Sequence, residues 1–140
     1  MSGREYMLKP KKNAEDAGEI NWTKQICNEM RAVGAIVHPL TGAQMSSGLP
    51  DRLVVHPNWS GLLEFKGSGT KLRVNQSIVI RDIISRNESF VFIVRKPNLI
   101  QIPCALSVDP NGCKTLAEFD GSGSGLLYML MQICANADLC

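Results

Sequence analysis

Apolar positions in this chain form short runs broken by turn-forming clusters, and helical spacing is confined to a few of them. Ile26, Met30 and Val33 recur three and four residues apart, which predicts a helix from about Asn21 to Val33 with Gly34 as its stop. Ala35-Ile36-Val37-His38 reads as a short strand ended by Pro39. Leu53-Val54-Val55 and Leu62-Leu63-Glu64-Phe65-Lys66 flank the turn-rich His56-Pro57-Asn58-Trp59-Ser60-Gly61 and predict a hairpin. A second helix is expected to open at about Asn75 and run through Ile84. Ser89 to Arg95 is almost continuously apolar, as suits a strand buried on both faces. Leu99 to Ile102 is a further candidate strand, Asp109 to Gly112 a turn and Gly121 to Gly125 a linker before a very apolar helix. That helix, over about residues 125–137, has two uses open to it: packing on its own sheet or forming a dimer seam. Residues 1–18 are polar and read as a loose segment, leaving 19–140 as one domain. The order of helix, three strands, helix and strand is α/β with a mixed central sheet flanked by helices.

The hairpin carries the chemistry. Side chains alternate along a strand, so Glu64 and Lys66 project together while Leu63 and Phe65 face the opposite way. If Val55 pairs with Leu62, Asp51 lies opposite Lys66 and diagonal to Glu64, with the carboxylate residues roughly 7–8 Å apart. A slip of one residue would send Asp51 to the other face. Two carboxylates offer hard oxygen ligands to Mg²⁺, and a lysine beside them can orient a nucleophile or contact a phosphate. The plain alternative is a surface hairpin with an exposed Glu64–Lys66 pair worth little.

Gly48-Leu49-Pro50-Asp51, Glu64-Phe65-Lys66-Gly67, Lys71-Leu72 and Gln76, in that order and spacing, resemble the PD-(D/E)xK nuclease superfamily. Within it they are similar to the small VRR-NUC-type and Holliday-junction-resolvase-like members, over roughly residues 20 to 95. The resemblance implies a restriction-endonuclease-like core and an endodeoxyribonuclease that uses Mg²⁺ or Mn²⁺ to hydrolyse phosphodiester bonds. It further implies a structure-selective enzyme acting on branched DNA, commonly as a homodimer. A homing or nicking endonuclease would carry the same motif, and a catalytically silent DNA-binding module is the alternative of a different class. By the same resemblance Asp51 and Glu64 are metal ligands, with the Phe65 carbonyl completing the shell. Lys66 is then the base or phosphate contact, and Gln76 lies near the metal-bound water or the phosphate. The plain account of Gln76 is an exposed first-turn residue behind Asn75 as helix N-cap. Relatives also carry a Glu on the preceding helix, but the matching positions here are Trp22 and Thr23. Glu19 and Glu29 are the nearby candidates, and Glu29 reads more simply as a solvated helix charge.

Composition changes this picture little. At 140 residues the chain suits one domain with a single core. A net charge of +2 means that affinity for DNA must come from a local basic surface. Arg52, Lys71, Arg73 and Arg81 are the candidate DNA contacts, and Lys9, Lys11 and Lys12 form a basic N-terminal stretch. No apolar run is long enough for a membrane span and no apolar signal core opens the chain, so a cytoplasmic protein is expected, in a host cell if phage-encoded. Five cysteines without Cys-x-x-Cys spacing read as reduced thiols rather than a zinc site. Neither His38 nor His56 has a catalytic partner at recognisable spacing. The Gly-Ser-Gly-Ser-Gly run lacks the Lys-Ser/Thr of a P-loop.

Overall fold

The computed structural model describes residues 14–40, 48–104 and 111–136. Helix α1 (Ala14–Ala32) begins seven residues before the start that apolar spacing predicts. Its first turn and a half, Ala14-Glu15-Asp16-Ala17-Gly18, offers no apolar stripe to read, yet alanine and glutamate favour helix and acids suit a first turn. The extension places Glu19 inside the helix. There follow β1 (Ile36–Pro39), β2 (Arg52–Val55), β3 (Gly61–Lys66), α2 (Val74–Arg86), β4 (Val91–Arg95), β5 (Leu99–Pro103), β6 (Cys113–Glu118) and α3 (Gly123–Ala135). The loop expected over residues 41–48 and the basic stretch Lys9 to Lys12 lie almost wholly outside the described residues.

The six strands lie in chain order, antiparallel throughout except for β3 and β4. That parallel pair needs a crossover, which α2 supplies. The sheet is therefore mixed and flanked by helices, as expected; β5 and α3 stand where a candidate strand and an apolar helix were expected, and β6 is the one strand added to them. Strand β6 escapes the sequence pattern because it is an edge strand whose residues are mostly half-buried or exposed.

Alternation along the strands sorts the side chains into two layers. Leu63, Phe65, Phe92 and Val94 pack with Ile26, Met30, Leu126 and Leu130 under α1 and α3. On the opposite face Leu62 and Val91 pack with Ile80 of α2. Glu64, Lys66 and Arg95 therefore share the α2 face, at the carboxyl ends of the two parallel strands.

The Gly-Ser run is the start of α3 rather than a linker. Ser122 caps the helix by accepting from the Gly125 amide at 2.9 Å. Gly123 lies so close to α1 that a Cβ there would stand 2.6 Å from the Ile26 carbonyl oxygen and closer still to the Met30 nitrogen. Glu29 is not a solvated charge: its carboxylate accepts the Gly123 amide at 2.9 Å, across 94 residues of sequence. The apolar side of α3 is spent on its own core, with Leu126, Leu127, Leu130 and Ile133 buried, and so is not available as a dimer seam. Gly123→Ala is expected to force the two helices apart and lower stability by about 1–3 kcal/mol, read as a fall in the urea midpoint.

No described helix is long and apolar enough to cross a membrane. Cys27, Cys104, Cys113 and Cys134 are free thiols. Burial pushes the Cys27 and Cys134 thiols up, which makes both poor nucleophiles.

Candidate active site

The hairpin pairs Leu53 with Leu62 and Arg52 with Leu63. This is two residues away from the expected register, and continuing it by one position sets Asp51 directly opposite Glu64. An even shift keeps Asp51 on the face it was expected to share with Glu64 and Lys66. The cause lies in the turn. Trp59 is buried, donates from Nε1 to the Ser89 carbonyl at 2.9 Å and lies against Gly61, where no Cβ would fit beside its ring and the Phe90 carbonyl. His56 and Ser60 close the loop, the Ser60 hydroxyl accepting from the His56 amide and donating to its carbonyl at 3.1 Å each. The His56 ring accepts the Asn58 amide at Nδ1, so Nε2 carries the proton and donates to the Val33 carbonyl at 3.0 Å. That imidazole organises the turn, and its partners among the described residues are main-chain groups.

Asp51 is delivered by Gly48-Leu49-Pro50. Gly48 has φ +99° and sits against α2, where a Cβ would meet the Asn75 carbonyl at 2.6 Å and the Val79 side chain at 2.8 Å. Only glycine meets both demands, which gives a physical reason for that residue ahead of the aspartate.

Glu64 and Lys66 are not an exposed pair. Glu64 is 4% exposed and Lys66 8%, and Lys66 Nζ stands 3.3 Å from Glu64 Oε2. Gln76, 3% exposed, donates from Nε2 to the same Oε2 at 2.9 Å and accepts the Arg73 amide at Oε1. The plain account of Gln76 therefore fails: the N-cap is Arg73, and Gln76 is the third helical residue, turned inward. Its amide ties the start of α2 to the Glu64 carboxylate.

Two oxygens in this cluster have no hydrogen-bond partner although they are sealed from solvent: Glu64 Oε1 and Asp51 Oδ1. Among the described residues Arg52 Nη1 stands 3.7 Å from the latter, in ion-pair range but beyond hydrogen-bond reach. Burial first, and then the Glu64 carboxylate, push the Asp51 carboxyl up to about 7, against the pull of Arg52, the Phe65 main chain and Lys66. The Lys66 carbonyl accepts from Lys96 on the β4 side. The adjacent Phe65 carbonyl must then point the other way, past the end of β2 toward Asp51. Buried, orphaned polar atoms are costly, and two bare carboxylate oxygens in one cluster are an arrangement that could hold a cation. The donor set of carboxylate and carbonyl oxygens fits Mg²⁺ or Mn²⁺, which take one or two carboxylates and fill the remaining positions with water and phosphate oxygens.

The remaining candidates are placed as follows. Glu19 reaches Gly67, the residue after Lys66, where an added Cβ would lie 2.7 Å from its Oε1. Glu19 also lines a cleft of about 380 Å³ together with Asp51. No three His, Cys, Asp or Glu side chains converge on a single metal position among the described residues, so Glu19 stands beside the carboxylate pair. Lys71 and Arg73 are exposed at the start of α2, and Arg81 is exposed farther along it with Nε on Ser77 Oγ. Arg52 is apart from these three: it is half-buried, donates to the Asp51 carbonyl at 2.9 Å and lines the Glu19 cleft.

Sequence reasoning missed Arg95. It is 2% exposed, pairs in register with Lys66, and donates to the Gly67 and Thr70 carbonyls at 2.7 and 2.6 Å and to Gln101 Oε1 at 2.7 Å. It thereby clamps the segment that leads from Lys66 to Lys71. The only sequence signal was a charged residue closing a run otherwise read as buried strand.

No protein-family model matches this chain, and no curated protein matches it. Among solved structures it is similar to Hjc, a Holliday junction resolvase from the archaeal hyperthermophile Archaeoglobus fulgidus. That likeness has 11% identity and a TM-score of 0.45, covering 79% of this chain and 98% of the other. At such distance it decides neither fold nor activity.

Proposed function

We propose that this protein is a metal-dependent nuclease that hydrolyses phosphodiester bonds in DNA, with branched DNA such as four-way junctions as its substrate class. The observation that carries this reading is the pair of buried, unpartnered oxygens, Asp51 Oδ1 and Glu64 Oε1, set beside the buried Lys66 ammonium. Asp51, Glu64 and the Phe65 carbonyl would hold the cation. A divalent ion supplies Lewis-acid chemistry there, stabilising charge on the attacked phosphate and making water a better nucleophile. The chain's own residues do the rest. Gln76 occupies Glu64 Oε2 and so leaves Oε1 free. Lys66 is positioned to contact a phosphate oxygen or orient the attacking water. Lys71, Arg73 and Arg81, exposed along α2, supply a backbone track.

The deciding experiment offers labelled four-way junction, linear duplex and single-stranded DNA with Mg²⁺, with Mn²⁺ and with EDTA, to the wild type and to Glu64→Gln. Metal-dependent cutting lost in the variant is the expected result, with the junction as best substrate. A preference for specific duplex sites would move the reading to a homing or nicking enzyme. Junction binding without cutting in either metal would make the protein a silent DNA-binding module. Symmetric cutting of a junction needs two centres, so the active species is proposed to be a homodimer. Light scattering that shows a monomer cutting junctions would remove that element.

Gln76→Ala should lower the cleavage rate by about 10- to 100-fold, as supporting partners of metal ligands commonly do. Gln76→Glu should be worse, because a second carboxylate would face Glu64. A rate within twofold of wild type for Gln76→Ala would reduce Gln76 to a helix-capping role.

A further inference from the structure

The cleft that Asp51 shares with Glu19 runs away from α2, between α1 and the start of β2. Lys24, Asn28 and Arg31 lie four and three residues apart on α1 and so line one wall as a single helix face. Arg52 faces them from β2. Three cations thus stand against two carboxylates, and one of those two, Asp51, is a proposed metal ligand.

Two of the three cations have no carboxylate partner among the described residues. Lys24 pairs with no carboxylate among the described residues. Arg31 donates to the Asn28 side chain at 3.0 Å and to the Val37 carbonyl at 2.8 Å, both neutral acceptors. Arg52 donates to the Asp51 carbonyl and stands 3.7 Å from the Asp51 carboxylate, an ion pair without a hydrogen bond. Each guanidinium has five N–H donors, so these bonds orient it and leave donors free. An oriented set of cations in a concave site that opens onto a phosphodiester-cleaving centre suits a phosphate.

We infer that this cleft is a second phosphate subsite, which takes the sugar-phosphate backbone on the side of the scissile bond opposite the α2 track. The inference rests on the nuclease reading and adds a direction: the cleaved strand runs from the Lys71–Arg73 end of α2, across Asp51 and Glu64, into the Lys24–Arg31–Arg52 cleft. It also accounts for Arg52, which the α2 track leaves unused.

The test measures DNA binding in EDTA, so that no chemistry intervenes, as a function of salt. Lys24→Gln is the main variant, because Lys24 is exposed and its loss leaves the fold intact. Its affinity is expected to fall roughly three- to tenfold, and the slope of log affinity against log salt to shrink by about one, the mark of one lost phosphate contact. The double variant Lys24→Gln/Gln25→Lys keeps the net charge but moves it off the cleft wall, and it should not recover the slope. Recovery of the slope by the double variant, or an unchanged slope in Lys24→Gln, would overturn the subsite while leaving the nuclease reading standing. A wild type that binds no DNA at any salt would remove both. Inorganic phosphate is titrated separately by thermal shift. Stabilisation by phosphate that depends on Lys24, with DNA binding indifferent to it, would identify a free-anion site instead and overturn the backbone assignment.

Discussion

Asp51→Asn is expected to abolish cleavage and, at the same time, to stabilise the metal-free protein above pH 7. The Asp51 carboxyl titrates at about 7 in the folded protein, against 3.8 for an ordinary aspartate. Between those values the folded state holds a proton that the unfolded chain has lost, so stability falls as pH rises through the window. The loss is complete above pH 7 and absent below about pH 4, and the shift corresponds to roughly 4 kcal/mol at most. Asparagine is neutral throughout. Wild type and variant should therefore have similar urea midpoints at pH 4, and the variant should be the more stable by a few kcal/mol at pH 8. Saturating Mg²⁺ should reverse the order at pH 8, because it stabilises only the chain that keeps both carboxylates. The cleavage rate should drop by about a thousandfold or more, as befits loss of several kcal/mol of charge stabilisation. A variant less stable than wild type at pH 8 without metal would mean that Asp51 is a structural acceptor, and the metal assignment would go with it.

Arg95→Met is expected to be the most damaging substitution at a residue that takes no part in the chemistry. It strips hydrogen bonds from the Gly67 and Thr70 carbonyls and from Gln101 Oε1, all at 2.6 to 2.7 Å in the wild type. The Gly67 carbonyl keeps the Thr70 amide at 3.3 Å, whereas each buried acceptor left unpaired costs about 1–3 kcal/mol. Removing a buried charge that has no carboxylate partner among the described residues offsets part of that. The net loss should be about 3 kcal/mol, a large share of the stability of a domain this size. Arg95→Lys keeps the charge but not the planar fork, and should fall between the two. Because Gly67 and Thr70 flank the path from Lys66 to α2, cleavage should fall further than the unfolded fraction explains. A change in stability below 0.5 kcal/mol would show that the 67–70 segment holds itself.

Hydrophobic periodicity made the core of this fold legible. It placed five of the six strands, all three helices and the α/β class, because those elements bury one stripe or one face and the pattern records that burial. The side on which Glu64 and Lys66 project was equally legible, since alternation along a strand is local geometry. The two-residue change in register was not, because it depends on Trp59 reaching Ser89 and Phe90, thirty residues on. The motif set Gln76 near the site without showing that it is buried against Glu64, and the pattern did not show that Glu29 caps a helix 94 residues away or that Arg95 clamps two carbonyls.

The chain by itself determined which residue types stand near the hairpin and that Glu64 and Lys66 share a face, while the face of Asp51 hung on the register. Only the tertiary structure decided that Asp51 meets Glu64 head-on, that their free oxygens are sealed from water, and that Arg52 belongs to a different wall from Arg73. The division has a physical reason: local pattern governs direction along an element, whereas desolvation, the loss of hydrogen-bond partners and the sharing of one cleft arise only when distant segments pack.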